Sequence, residues 1–507
     1  MHLIAQLLVT GSQSIRLHSI RSLARRWLYI RWPDIRRPDI RWPVLVALVG
    51  IVSCEAGERP LIDVPDQDPP WHPDSEQQAF LDQLQEDTFR YFWERGNPVN
   101  GMVPDRAPGN SSASIAAVGF GLTAYIIGVE RGFISRVEAA QRTLNTIRFF
   151  WEAPQGAQAR GVTGNRGFFY HFLNMDDGMR AGQSELSTID TALLLAGMLT
   201  SQSYFDRNDP VENNIRALTD AIYTRIDWDW ILSRNNPPLI GHGWYPESGF
   251  IPNDWTGYDE SMILYILALG GPENPVSPDA WNKYTETYRW MEYYGYEHVN
   301  ASPLFLHQYS HMYIDFRDIK DDYMRGRGID YFENSRRATL SQREYAMDNP
   351  NGWTGYGENV WGLSACDGPG NFTITVDGEQ RQIYGYRARG ASALFAVDDG
   401  TIAPTAAGGS LPFAPEETVT ALYHMYQEYG DLIYRDQGFR DSFNLTFRPS
   451  QLPDGWVNSQ YLGIDQGPIA IQIENFRNGL IWELTRNNEH IRRGLERAGF
   501  SGGWLDD

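Results

Sequence analysis

Ser114-Ile115-Ala116-Ala117-Val118-Gly119-Phe120-Gly121-Leu122, continuing apolar toward Glu130, is the stretch on which the fold turns. It reads as a helix rich in Ala and Gly, fit for close packing against its neighbours. Upstream, Phe80, Leu84, Phe89, Phe92 and Trp93 recur near helical spacing. Downstream, 134–151 carries Val137, Leu144, Ile147 and Phe150 on one stripe. Helical patterns then follow at 187–200, 211–226, 258–270, 280–294, 335–346, 415–428, 466–483 and 486–498. Strand signals are sparse: 372–376, the turn Asp377-Gly378 and 381–384 predict one hairpin. Residues 74–507 therefore read as one all-α domain carrying a small β-hairpin insertion. A toroid of alternating inner and outer helices, (α/α)6, suits a single helical domain of that size.

The 53 residues before Cys54 differ in kind. They hold Arg16, Arg21, Arg25, Arg26, Arg31, Arg36, Arg37 and Arg41 against Asp34 and Asp39, then the apolar run 44–52. A basic segment, a short apolar run and a small residue before the break predict a secretory leader over 1–53. The run is too short for a membrane-spanning helix, which needs about 20 residues. Ile51-Val52-Ser53-Cys54 resembles a bacterial lipobox, which would make Cys54 a lipidated N-terminus. Residues 54–73, rich in Pro and Asp, read as a tether. A lipoprotein of the bacterial cell envelope, facing the periplasm or the cell surface, is expected.

The whole chain has 507 residues, with 43 basic and 64 acidic side chains and a formal charge of −21. Without the Arg-rich leader the remainder is more acidic still. Such a surface argues against nucleic acid, whose phosphates need a Lys/Arg field. Lys283 and Lys320 are the only lysines, so Schiff-base and P-loop chemistry have little to work with. Two cysteines exclude a disulfide scaffold and a Cys-rich metal site, and Cys366 reads as a lone buried thiol. His307 and His311 are four apart, but Gln308-Tyr309-Ser310 between them lacks the zincin glutamate. No metal and no cofactor are expected. The 17 Trp, 27 Tyr and 23 Phe are the positive clue, because flat rings suit sugar faces as well as cores.

Acidic, polar and aromatic residues recur together where loops feed helices. Glu185 precedes a helix that starts near Ser187, and Asp190 lies in its first turn between Ile189 and Ala192. Carboxylates at such places cap helices or fill pockets; the apolar flanks of Asp190 favour the pocket. In Trp255-Thr256-Gly257-Tyr258-Asp259-Glu260-Ser261, Asp259 reads as the cap. Glu260, between aromatic and apolar neighbours, reads as an acid whose pKa burial would raise. Further clusters contain His307 and Gln308, Glu358 and Trp361, and Asp399. Paired carboxylates in an aromatic cleft are what glycoside hydrolysis needs.

Tyr91-Phe92-Trp93, the 114–122 block, Phe169-Tyr170-His171-Phe172, Glu185-Leu186-Ser187-Thr188-Ile189-Asp190-Thr191, Tyr258-Asp259-Glu260, Asp399-Gly400-Thr401-Ile402-Ala403-Pro404-Thr405 and Ile473-Glu474-Asn475 together resemble the bacterial glycoamylase-like domain. That grouping includes the β-1,2-glucanases of glycoside hydrolase family 144. The resemblance runs in order over roughly 75–500 and implies an (α/α)6 barrel. It also implies an inverting hydrolysis of β-1,2-glucan or its oligosaccharides. Glu260 then matches the general acid, and Glu185 and Asp190 the second acidic cluster, with the base left open between them. Tyr170, His171, Arg180, Trp255 and Tyr258 would form subsites, joined by His307, Gln308, Glu358, Trp361 and Asp399. The expected partner is the glucan itself, with a monomeric protein and no membrane contact beyond the lipid. Two rivals remain at this point: a glycosidase or transglycosylase of another glucan linkage, and a non-catalytic glycan-binding lipoprotein.

Overall fold

The computed structural model describes residues 71–376 and 378–506. The leader, Cys54, all but the last residues of the tether, and Asp377 of the hairpin turn lie outside the described residues. The α-helices are α1 (Ser75–Arg95), α2 (Ile115–Glu130), α3 (Arg136–Glu152), α4 (Thr188–Tyr204), α5 (Pro210–Thr224), α6 (Met262–Gly270), α7 (Asp279–Thr285), α8 (Tyr309–Tyr313), α9 (Asp322–Arg327), α10 (Tyr331–Asp348), α11 (Pro404–Gly408), α12 (Pro415–Ile433), α13 (Gly463–Asn478), α14 (Leu480–Arg486) and α15 (Glu489–Arg497).

Helix starts follow local chemistry. Ser114 caps α2 through the Ala117 N–H, and Ser187 caps α4 through the Asp190 N–H. Asp74 and Ser135 form capping boxes with Gln77 and Glu138. Helix α2 is buried from Ile115 through Gly128, because neighbours cover it on all sides. It packs on α4 and α13; α4 packs on α6, α6 on α8, and α8 and α11 on α13. Helices α1, α3, α5 and α12 lie against members of that set. The α2–α4 crossing needs its glycines. A Cβ on Gly119 would stand 2.3 Å from the Leu193 carbonyl oxygen, and one on Gly197 would stand 2.1 Å from that of Gly119.

Two expectations change. The helix read over 280–294 stops at Thr285. The Thr285 and Thr287 hydroxyls turn back to the Asn282 and Tyr284 carbonyls, and Thr287 also accepts the Gly257 N–H. Trp290–Tyr293 then pairs with Tyr296–Val299 across Tyr294-Gly295, both at positive φ. That is the two-residue turn whose twist suits a hairpin. The helix read over 466–483 is split by Gly479, whose left-handed φ of 71° closes α13. The predicted hairpin pairs Phe372–Val376 with Glu379–Ile383. It is accompanied by the second hairpin and by many two-residue ladders that tie loops together. Cys366 is buried.

Candidate active site

The N-terminal ends of α2, α4, α8 and α13 and the residue two before α6 converge on one cavity. Its wall includes Ala116, Ile189, Asp190, Leu193, Glu260, Tyr309 and Ile464. Phe305, Tyr386, Phe172 and His171 add ring surfaces, and Asp105 and Arg106 add charge. Helix N-termini bring unpaired N–H groups and a positive dipole end, which favours carboxylates there.

Glu260 is buried in this wall. Burial comes first and the neighbouring Asp259 second in pushing its pKa up to about 8, so it holds a proton at neutral pH. Asp259, read as the cap, instead holds the turn before α6, whose N-cap is Ser261 and which has no side-chain cap: its Oδ1 accepts the Ser261 N–H at 3.0 Å and the Tyr284 hydroxyl at 2.8 Å. The Glu260 carbonyl accepts from Ser310 at 3.0 Å, which fixes the turn.

Asp190 faces the same cavity, accepting the Ser187 hydroxyl at 2.5 Å. Burial raises its pKa against the pull of His171. His171 stands between two carboxylates: Nδ1 lies 2.9 Å from Glu185 and Nε2 lies 3.6 Å from Asp190. Burial pulls the imidazole down, but the two carboxylates outweigh it and raise its pKa. Burial likewise pushes Glu185 up, and the His171 charge and hydrogen bond overcome that, holding Glu185 at about 2. The cluster is therefore an ionised Glu185, an imidazole biased to the cation, and an Asp190 in the cavity with a protonated Glu260.

The other predicted residues do not line the cavity. Tyr170 is fully buried under the Arg180 guanidinium, 4.7 Å from its ring. Arg180 donates to the Ser184 carbonyl at 2.7 Å and pairs with Glu247 at 2.7 Å. Trp255 stacks on His242 and donates to Thr188 at 3.0 Å. Tyr258 stacks on His307, and both are buried. Gln308 donates to the Ala406 carbonyl and the Ser410 hydroxyl, each at 2.7 Å, tying the segment before α8 to α11. Glu358 is exposed and pairs with Arg343 at 2.9 Å. Trp361 is core, and Asp399 pairs with Arg389 at 2.7 Å with neither side chain exposed. Glu185 lines an adjoining groove.

Sequence reasoning passed over Asp105, Arg106, Phe305, Tyr309 and Tyr386. Arg106 bridges Asp105 at 3.1 Å and Asp367 at 2.7 Å, and its segment reaches the site by pairing with Leu462. Tyr309 sits between His307 and His311, in a segment whose sequence signal is the histidine pair. Next to Ile464, burial and the Asp441 charge push the Asp465 carboxyl well up, while burial and then the Asp367 charge raise Asp441 to about 6. Among the described residues no group of His, Cys, Asp and Glu is arranged to hold a metal ion.

Fold and site together define a helical protein with an acidic, aromatic-walled cavity fed by helix N-termini. The family model described as Glycoamylase matches residues 252–489. A solved Bacteroides uniformis protein described as a "putative glucoamylase" is 32% identical, covering 86% of this chain and 100% of its own, with a TM-score of 0.73. The chain belongs to the glycoamylase-like family. The endo-beta-1,2-glucanase of Chitinophaga pinensis, solved with sophorotriose and glucose, is 28% identical over 84% of this chain and 99% of its own, with a TM-score of 0.72. The exo beta-1,2-glucooligosaccharide sophorohydrolase (non-reducing end) of Parabacteroides distasonis is 30% identical over 450 residues, or 83% of this chain. The chain spans 58% of the length of that curated relative.

Proposed function

We propose that this protein is an inverting glycoside hydrolase acting on β-1,2-glucan or β-1,2-gluco-oligosaccharides, built on an (α/α)6 toroid. The observation that carries the reading is a buried, protonated Glu260 facing the same cavity as Asp190. Glu260 donates its proton to the glycosidic oxygen as the bond to the anomeric carbon breaks and its electrons pass to that oxygen. Asp190 takes a proton from the water that attacks the opposite face of that carbon. The imidazole of His171 keeps Asp190 more acidic than its burial alone would make it, and Glu185 anchors the imidazole. Rings of Phe172, Phe305, Tyr309 and Tyr386 present apolar faces to the sugar, as a small-molecule site does around a few placed polar groups. The choice of linkage draws support from the two relatives named for β-1,2 substrates.

A panel of linkage-defined glucans tests it. Release of glucose or short oligosaccharides from the β-1,2 member, with the α-anomer appearing first in proton NMR, is expected. Turnover of another linkage alone, or tight binding without turnover, would overturn the reading. The envelope address at Cys54 is part of the proposal and rests on the basic leader and lipobox-like ending. Radioactive fatty acid should label the protein, and a Cys54→Ser variant should lose the label.

A further inference from the structure

We propose that a groove beside the cavity holds the glucosyl residues flanking the scissile bond, with Phe172 as the platform on which one ring stacks; this rests on the reading of the protein as a β-1,2-glucan hydrolase. The groove runs past Asp105, Ser111, Ser112, Gln183 and Glu185, and Phe172 is its aromatic face. Asp105 and Phe172 line both spaces, so the groove and the cavity meet across these two side chains. The Phe172 ring lies on the His171 imidazole, 3.7 Å between centroids and 21° from parallel. His171 in turn reaches Glu185 on the groove side and Asp190 on the cavity side. A chain laid over Phe172 therefore passes directly from the groove to the reacting groups.

The lining selects the class of ligand. Two carboxylates and no Lys or Arg line the groove, which disfavours an anion. An apolar segment would displace water from those carboxylates and from the Gln183 amide without offering a hydrogen bond in return, which is costly. A neutral polyol with one apolar face satisfies both the polar rim and the ring. The wall is also held in place before any ligand arrives. Arg180, itself buried, donates to the Ser184 carbonyl and pairs with Glu247. Ser184 accepts the Phe172 N–H at 2.9 Å, and the Ala181 N–H donates to the Phe172 carbonyl at 3.0 Å. Asn97 and Asn100 hold the Met175 carbonyl at the far end of the same loop. Such a wall loses little freedom on binding, so contacts made there add to affinity.

The test is a chain-length series of β-1,2-gluco-oligosaccharides run on the full chain and on Phe172→Ala and Ser112→Trp. The first removes the platform; the second fills the groove from a half-exposed position and keeps the test alive if the first fails to fold. The readout is kcat/KM for long chains divided by kcat/KM for the shortest oligosaccharide cleaved. Loss of one buried aromatic contact predicts a fall in that ratio of about tenfold or more. A ratio equal to wild type in both variants overturns the groove while leaving the hydrolase reading intact. A wild-type protein that cleaves no β-1,2 oligosaccharide overturns both.

Discussion

Glu260→Gln lowers turnover by about 10²- to 10⁴-fold, the usual contribution of a positioned general acid, and leaves the protein folded. The same substitution alters stability in a direction that only a buried, protonated acid predicts. The folded carboxyl holds its proton up to about pH 8, against an ordinary value of 4.5. Between those two values the folded state binds a proton that the unfolded state has released. Stability contributed by this group is therefore complete below about pH 4.5, declines as pH rises, and is lost above about pH 8. Glutamine does not ionise, so the variant should melt higher than wild type at pH 9 and lose most of that advantage at pH 5. Wild-type turnover should fall through the same upper pH window as the acid loses its proton. Paired melts at the two pH values and a turnover profile check all three statements. Wild-type turnover in the variant would remove Glu260 from the acid role.

What could be read in advance depended on how local the cause was. Helices α2 and α4 were legible because a serine cap, an apolar run and small residues lie in one stretch. Glu185, Asp190 and Glu260 were legible for a related reason: a carboxylate beside the start of an apolar helix must be either a cap or a pocket group. Asp105 and Arg106 carry no such mark. They join the site only because Arg106 pairs with Leu462 across most of the chain, and Tyr386 arrives through the ladder of Ala365–Cys366 with Arg387–Ala388. At Trp255, Tyr258, Trp361 and Asp399 acids and aromatics interleave just as they do at the cavity, yet these side chains are buried among protein partners and do not line it. The same pattern arises when a core buries polar groups and must pair each one internally. The partners are non-local (Thr188 for Trp255, His307 for Tyr258), so the sequence does not distinguish a wall from a core.

Asp399 makes that distinction measurable. Its carboxylate grips Arg389 at two points, 2.7 Å from Nε and 2.8 Å from Nη2, with neither side chain exposed. It also accepts the Tyr384 N–H at 2.9 Å. Arg389 spends its remaining donors on the Cys366, Tyr384 and Gly385 carbonyls, at 2.8, 3.1 and 3.1 Å. The pair thus fastens the segment that carries Ala365 and Tyr386 into the cavity wall. Asp399→Ala strands a guanidinium charge in a buried site and should cost about 3–5 kcal/mol of stability, lowering the urea midpoint in proportion. Replacing both partners with apolar residues, Arg389→Met with Asp399→Leu, removes the stranded charge and should recover much of that loss. If Asp399 instead met the sugar, Asp399→Ala would raise KM with an unchanged urea midpoint, and the double variant would recover nothing. The expected result is the reverse. The midpoint falls, activity at low urea falls only with the fraction unfolded, and KM for the remaining folded enzyme stays near wild type.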